Sequence, residues 1–419
     1  MKKIDLILKK VLEKITPSKE EMLSMESFVR EFKKKIEKRI KELKIKADIF
    51  IGGSYAKKTM IKSKIYDVDF FIRFHDKGKN ISDLTEKILK GFKKIEIKGS
   101  RNYFVVDRGN FLIEIIPVLK VNNPRKAENV TDLSYSHVNY IRKKANGKIL
   151  DEIKLAKAFC RANNCYGAES YIKGFSGYAI ELLVCYYGSF LRFIKSFEKI
   201  KEKTAIDIEK HFKNKNEIFM DLNESKIHSP VVLIDPTYKS RNALAALSHE
   251  TSEKFKKACS DFLRNPNGKS FEMKIFDIEK MKTRAKNKKQ DFVILKIKTD
   301  RQNGDIAGTK LLKFYNHLIS EIEKRFIVKE KHFAYGGKKN ADYFFAAEKR
   351  KEIIFPGPLM KQKENVGKFR KKHRNIFIKN GRIYAKEKIK ENLKEFLRNW
   401  GGKYKEKIID MGIVRMEII

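Results

Sequence analysis

Two aspartates stand one residue apart in the apolar run YDVDFFIRF and could do metal chemistry together. Side chains of a β-strand alternate between its faces, so Asp67 and Asp69 share one face while Val68 and Phe70 take the other. Adjacent carboxylates repel each other, and a divalent cation removes the conflict because Mg²⁺ binds carboxylate and phosphate oxygens. The pair therefore predicts a metal site, with the solvated face of an edge strand as the alternative interpretation.

A glycine-serine turn lies upstream of the pair, in IFIGGSYAKKT. Gly52 and Gly53 allow the backbone to come close to a phosphate, and Ser54 and Lys57 are available to donate hydrogen bonds to it. The spacing between the turn and the two aspartates fits a strand, a short helix and a second strand. This segment therefore predicts a phosphate-binding turn next to the metal site.

A third acid, Glu114, stands in the apolar run FLIEIIPV. The segments Asn102–Asp107 and Asn110–Ile116 predict a β-hairpin around Arg108-Gly109. An acid inside an apolar strand is unfavourable unless it is paired or coordinated. Three acids on adjoining strands beside a glycine-serine turn predict a two-metal site for nucleotidyl transfer.

Longer stretches of the chain resemble a known family. The motifs GGSYAKKT and DVD and the third acidic strand resemble the polymerase-beta nucleotidyltransferase superfamily. The segments 154–190 and 235–248 resemble the archaeal, class I CCA-adding enzymes, which are tRNA nucleotidyltransferases. The resemblance implies addition of C, C and A to the tRNA 3′ end from CTP and ATP, without a nucleic acid template and with release of pyrophosphate. It also implies Mg²⁺ held by Asp67, Asp69 and Glu114, although the family usually has Asp at the third position.

The resemblance implies further binding residues. Lys157 and Tyr166 match family positions that hold the nucleotide triphosphate, together with Ser54 and Lys57. His137 resembles the histidine of a family element, with a structural histidine as the alternative. Arg241 precedes a predicted helix and matches the arginine that reads the Watson–Crick edge of the incoming base, with a helix-capping arginine as the alternative. From helical periodicity, Lys154, Lys157 and Arg161 form one basic stripe.

We expect an α+β multidomain fold to position these residues. More than one domain is expected because 419 residues are too many for one core. We expect a nucleotidyltransferase head of sheet and helices at 1–135, a helical central (neck) domain at 136–264, a small α/β body at 271–358 and a basic tail region at 359–419. Residues 265–270 are the predicted linker. The sequence FPGP at 355–358 predicts a break in the chain.

Composition adds support for a polyanionic partner. Lys and Arg number 95 against 53 Asp and Glu, a formal net charge of +42. Such an excess favours nucleic acid binding, with drift toward lysine-rich composition as the alternative. The segment with Lys371, Lys372 and Arg374 resembles the family tail that reaches along the tRNA acceptor arm.

The remaining features point to a reducing compartment. The four cysteines form no C-x-x-C pair and predict unpaired thiols of the cytoplasm. The apolar run 174–190 contains Glu181 and glycines, which predicts a buried helix and no contact with a membrane. The oligomeric state stays open, a homodimer included.

Two rival functions remain at this level. A poly(A) polymerase or an oligoadenylate synthetase-like enzyme uses the same three acids, and use of CTP separates the CCA-adding reaction from both. An RNA-binding protein with a vestigial nucleotidyltransferase domain is the non-enzymatic rival. The presence of all three acids argues against it.

Overall fold

The structure, a computed structural model, describes residues 2–76, 80–99 and 101–419. Two units can be distinguished, Met1–Lys274 and Ile275–Ile419. Each is described by itself.

The first unit contains a five-stranded sheet in the order β1-β2-β5-β4-β3, followed by a mostly helical region. Its strands are β1 (Ala47–Ile51), β2 (Tyr66–Phe74), β3 (Ile95–Ile97), β4 (Tyr103–Asp107), β5 (Phe111–Leu119), β6 (Thr204–Asp207), β7 (Val231–Asp235) and β8 (Tyr238–Asn242). Its helices are α1 (Lys2–Ile15), α2 (Lys19–Glu42), α3 (Gly53–Ala56), α4 (Ile81–Ile88), α5 (Ser134–Lys144), α6 (Gly147–Ala162), α7 (Gly177–Tyr187), α8 (Phe190–Glu198), α9 (Lys215–Asp221) and α10 (His249–Arg264).

Helix α2 covers the face of the first sheet opposite to Asp67, Asp69 and Glu114. Its buried side chains recur at spacings of three and four, which places them on one side of a helix. They are Met25, Val29, Phe32, Ile36 and Ile40. They share a core with Val68, Phe70 and Ile72 of β2, so the opposite face of β2 is left to Asp67 and Asp69.

The helical part of the first unit differs from the prediction in one respect. It also carries a small sheet in the order β6-β7-β8, with β6 parallel and β8 antiparallel to the buried strand β7. Arg241 lies on β8, and the residues directly after it do not begin a helix, since α10 starts at His249.

The second unit is built on a four-stranded antiparallel sheet, β10-β11-β9-β15, and a three-stranded sheet, β12-β14-β13. Its strands are β9 (Asp291–Thr299), β10 (Phe326–Tyr335), β11 (Asn340–Lys349), β12 (Ile353–Leu359), β13 (Ile376–Lys379), β14 (Arg382–Glu387) and β15 (Ile413–Ile418). Its helices are α11 (Ile278–Asn287), α12 (Asp305–Glu323), α13 (Lys363–Lys372), α14 (Leu393–Lys403) and α15 (Lys405–Asp410).

The predicted break at FPGP is wrong. Residues 355–358 lie inside β12, an edge strand that pairs with β14 and whose register shifts between Pro356 and Leu359. An edge strand tolerates proline because the missing N–H faces away from the ladder, and an irregular register absorbs the rest. The predicted domain border at 358/359 thus falls within this strand.

Candidate active site

Strands β2 and β5 bring the three predicted acids to one place. The two strands are parallel, and their register sets Asp69 opposite Glu114 and Asp67 opposite Leu112. Asp67 is exposed, whereas Asp69 and Glu114 are half-buried. The predicted hairpin of β4 and β5 is confirmed, since Asp107 pairs with Leu112 and Val105 with Glu114.

Desolvation disfavours the ionised form of all three carboxylates, and repulsion between them adds to the effect at Glu114 and Asp69. Burial raises the pKa of Glu114 to about 8, and the charges of Asp69 and Asp67 add to the rise. Burial raises the pKa of Asp69 to about 6 against the opposing charge of Lys57. Desolvation by the surrounding protein also raises the pKa of Asp67, although its side chain stays exposed, and Arg161 acts in the other direction. A cation between the three acids would relieve this repulsion.

The donor set fits a hard divalent cation because all three donors are carboxylates. Among residues 2–76, 80–99 and 101–419, no group of three or more His, Cys, Asp or Glu side chains is already gathered as a metal site.

The glycine-serine turn packs directly against Asp69. The N–H of Gly52 donates to the carbonyl oxygen of Asp69 at 2.9 Å. Gly53 has a φ of +63°, and a Cβ on it would lie 1.5 Å from Oδ2 of Asp69. Only glycine therefore fits at this position, and the turn places the half-buried Ser54 on α3 beside the acids.

Two predicted phosphate-binding lysines meet at one buried acid. Lys57 Nζ donates to Oε2 of Glu181 at 2.6 Å, and Lys157 Nζ donates to Oε1 at 2.7 Å. Thr59 adds its hydroxyl, which donates to the same Oε1 at 2.8 Å. Burial would raise the pKa of Glu181, but Lys157 and Lys57 outweigh it and lower the value to about 2. Glu181 is thus a carboxylate throughout the working pH range.

The predicted basic stripe on α6 is not one exposed face. Lys157 is buried, while Lys154 is bonded to Asp151 at 2.9 Å. The guanidinium of Arg161 lies 4.7 Å from the ring centre of Tyr166. A Cβ on Gly177 would lie 2.9 Å from the Tyr166 hydroxyl and 3.8 Å from Cε of Lys157, so both predicted triphosphate ligands lie near the start of α7.

A second buried acid, Asp235, organises the predicted base-reading residues. Its carboxylate accepts hydrogen bonds from Arg241 at 2.5 Å, from the Tyr178 hydroxyl at 3.1 Å and from the Thr237 hydroxyl at 2.8 Å. Burial would raise the pKa of Asp235, and His137 and Arg241 outweigh it to hold that pKa well below its usual range.

His137 stacks on Tyr178 with ring centres 4.2 Å apart. Its Nε2 lies 2.9 Å from Oδ2 of Asp235. Burial lowers the pKa of His137 despite the nearby carboxylate, which favours the neutral ring.

Tyr178 links the two clusters. The ammonium of Lys57 lies 5.9 Å from the centre of its ring, and the guanidinium of Arg241 lies 5.8 Å from the same centre. The structure thus brings together the acids, the glycine-serine turn, Lys57, Lys157, Tyr166, His137 and Arg241 within the first unit. Lys371, Lys372 and Arg374 are exposed residues of the second unit, at and just beyond the end of α13.

Three residues of this site were not predicted from the sequence: Tyr178, Glu181 and Asp235. For Glu181 the signal was available, since an acid inside an apolar helix requires a partner. For Asp235 the signal was weaker, because aspartate before proline is common in turns.

Two family models match this chain. Residues 1–140 match the Second Messenger Oligonucleotide or Dinucleotide Synthetase domain, and residues 151–272 match the second domain of tRNA nucleotidyltransferase.

Solved structures with the same fold include a cytoplasmic RNA terminal U-transferase. It has a TM-score of 0.51 and 13% identity over 66% of this chain and 100% of that chain. The RNA terminal uridylyl transferase Cid1 matches with a TM-score of 0.51 and 14% identity, over 66% of this chain and 100% of that one. At such identity the likeness concerns the fold alone.

Curated relatives cover both units. The CCA-adding enzyme of Methanocaldococcus jannaschii is 29% identical over 91% of this chain and 87% of its own length. The CCA-adding enzyme of Nanoarchaeum equitans is 34% identical over 81% of this chain and 83% of its own length. On this likeness, the chain belongs to the family of CCA-adding enzymes and is a nucleotidyltransferase.

Proposed function

We propose that this chain adds C, C and A in turn to the 3′ end of tRNA, using CTP and ATP and no nucleic acid template. The observation that carries the proposal is the register of β2 and β5, which sets Asp69 opposite Glu114 beside a turn that only glycine can make. In the reaction, the terminal 3′ hydroxyl oxygen of the tRNA bonds to the α-phosphorus. The bond to the β-phosphate breaks, and pyrophosphate leaves.

Asp67, Asp69 and Glu114 would hold Mg²⁺, since they are an all-oxygen donor set whose charges repel without a cation. When bound, Mg²⁺ lowers the pKa of the primer hydroxyl and stabilises charge on the departing pyrophosphate. Ser54, Lys57, Lys157 and Tyr166 form the triphosphate-binding group, with His137 beside it. Lys57 and Lys157 meet at Glu181, and Tyr166 lies near Lys157 at the start of α7.

Arg241 is the proposed reader of the base. Asp235 fixes one side of its guanidinium. The remaining N–H donors suit the acceptors on the Watson–Crick edges of cytosine and adenine, whereas uracil N3 and guanine N1 carry hydrogens.

The proposed partner is the acceptor arm of tRNA, contacted in part by Lys371, Lys372 and Arg374.

We place the enzyme in the cytoplasm because its cysteines are free thiols. No described helix has the length and apolar character to cross a membrane. A homodimer stays a prediction, which light scattering on the purified protein would test.

The reaction is tested with a tRNA transcript that ends before CCA. CTP alone should add two nucleotides, ATP alone none, and both together three. Long tails from ATP alone would identify a poly(A) polymerase, and no extension under any condition would favour a vestigial RNA-binding protein.

The metal site is tested in the same assay with Asp69→Ala. Its rate should fall by several orders of magnitude while the melting temperature stays near that of the wild type, because a metal ligand is lost from a half-buried position. Wild-type activity in Asp69→Ala would exclude the proposed metal site.

A further inference from the structure

Glu181 is an anionic side chain that lies within the proposed binding site for an anion, the triphosphate. A carboxylate cannot bind a triphosphate, yet this one is fully buried and contacts both lysines of the proposed triphosphate-binding group. Its two oxygens are divided between them, since Oε2 accepts from Lys57 and Oε1 from Lys157.

The two lysines differ in how many of their N–H donors are used in hydrogen bonds. Nζ of Lys157 donates to Glu181 Oε1 at 2.7 Å, to the Thr59 hydroxyl at 2.8 Å and to the Thr59 carbonyl at 3.4 Å. An ammonium has three N–H donors, so those of Lys157 are all used. Lys57 donates to Glu181 alone among the described residues, which leaves two donors for another acceptor.

The charges are also unequal. Two ammonium groups share the one carboxylate of Glu181, so these three side chains carry one excess positive charge, and that charge also acts on nearby Asp69. A buried ion network is seldom more stable than apolar side chains of the same volume. Stability alone therefore does not account for it, whereas a requirement to present a fixed positive charge to an anion does.

We propose that Glu181 is a positioning residue of the triphosphate site. It holds Lys157 and Thr59 as a rigid support and aims the free donors of Lys57 at the phosphates. Within the triphosphate-binding group, Lys157 thus contributes its positive charge and Lys57 contributes hydrogen bonds. This inference rests on the proposed function, since it assumes that the triphosphate binds along Lys57. Glu181 itself touches neither the nucleotide nor the cation.

The principal variant is Glu181→Gln, which keeps the shape but presents an amide N–H₂ to one of the two ammonium groups. We expect the KM for CTP and the inhibition constant of inorganic tripolyphosphate to rise by about ten- to a hundredfold, the range for losing a hydrogen bond to a charged group. The kcat should change less. Glu181→Asp keeps the charge but is too short to reach both lysines, so it should restore the two constants in part.

The matched control is Asp132→Asn. Asp132 is a buried carboxylate of the same unit that accepts from Arg101 and from the backbone N–H groups of Leu119 and Asn129. We expect Asp132→Asn to melt at a lower temperature than the wild type, while the KM for CTP and the inhibition constant of tripolyphosphate stay near their wild-type values. Should Glu181→Gln unfold, Thr59→Val carries the test, because it loosens Lys157 without stranding a charge. It should raise both constants several-fold.

The proposal is overturned if folded Glu181→Gln, or Thr59→Val in its place, behaves as Asp132→Asn does, with lowered stability and unchanged tripolyphosphate inhibition. Failure of the proposed function looks different. In that case the wild type would bind tripolyphosphate through the same lysines but would not extend tRNA by C, C and A.

Discussion

Arg241 is the proposed reader of the base, so its replacement tests base choice. Its guanidinium is held by Asp235 and lies 5.8 Å from the ring centre of Tyr178. Replacing it with Ala removes a charged contact, which should raise the activation free energy of CTP and ATP incorporation by about 1.5–3 kcal/mol and slow both reactions roughly ten- to a hundredfold. The variant should also select less strongly against UTP and GTP. Lys should not restore either property because a point charge cannot make a forked contact.

Single-nucleotide incorporation on tRNA ending before CCA measures this effect. The control is Lys239→Ala, which removes a positive charge from the same strand, where the ammonium lies 5.2 Å from the ring centre of Phe212. If Arg241→Ala keeps both the rate and the selectivity of the wild type, the arginine does not read the base.

Glu114 gives the metal-free protein a pH-dependent stability. Its pKa is about 8 in the folded chain against a usual 4.5, so the folded state binds the proton more tightly. The resulting stability is complete below about pH 4.5 and is lost as the pH rises through 8. Glu114→Gln does not titrate, so in EDTA it should melt at a higher temperature than wild type at pH 8 and at a similar one near pH 5.

Melting curves across this pH range test the effect, with exposed Glu13→Gln on α1 as the control. Equal pH profiles for wild type and Glu114→Gln would contradict the raised pKa.

At the scale of elements, the turn between β1 and α3 can pack against Asp69 of the proposed metal site only because Gly53 has no side chain. Gly53→Ala would place a Cβ 1.5 Å from Oδ2 of Asp69, at a φ of +63°. Asp69 would have to move, so we expect loss of most activity. Gly91→Ala is the matched control, since Gly91 has a φ of +90° and open space around the added Cβ.

Both variants should lose stability of about 1–2 kcal/mol from backbone strain. Only Gly53→Ala should lose activity, and equal activity in the two would show that contact with Asp69 does not matter.

Elements with a local signal could be predicted from the sequence. The strand around Asp67 and the hairpin of β4 and β5 that carries Glu114 are confirmed because each depends on residues close in the chain. The role of FPGP was predicted incorrectly, because whether proline ends a strand depends on which edge of a sheet it occupies.

The partners of Lys57 and Lys157 could not be predicted at all. Glu181 lies 124 positions from Lys57 along the chain, and the contact exists only because α7 packs beside the glycine-serine turn. Resemblance assigned both lysines to the triphosphate without indicating that they share one buried carboxylate.

At the scale of the whole molecule, the net charge of +42 predicts salt-dependent binding of tRNA. The logarithm of the affinity should fall with the logarithm of salt concentration by about 0.7–0.9 per phosphate contact. Replacing Lys371, Lys372 and Arg374 with Ala should reduce that slope by about 2–3 and weaken binding of full tRNA more than use of an acceptor-stem and T-arm minihelix.

The control triple is Lys34, Lys38 and Lys41, exposed residues of α2, replaced in the same way. Equal loss in the two triples would mean that total charge, and no particular contact, sets the affinity. Equal loss for tRNA and minihelix would show that these residues do not reach beyond the minihelix.

Strand β15 has a consequence for how this protein is made. It completes its sheet by pairing with β9, with Ile413 opposite Thr299, and every strand of the first unit precedes both. At about 5–20 residues per second, on the order of ten seconds separate the synthesis of β9 from that of β15. During that interval one edge of β9 has no partner, and an unpaired edge invites association with other chains. The first unit can fold during translation, but the second remains open to aggregation until β15 has left the ribosome.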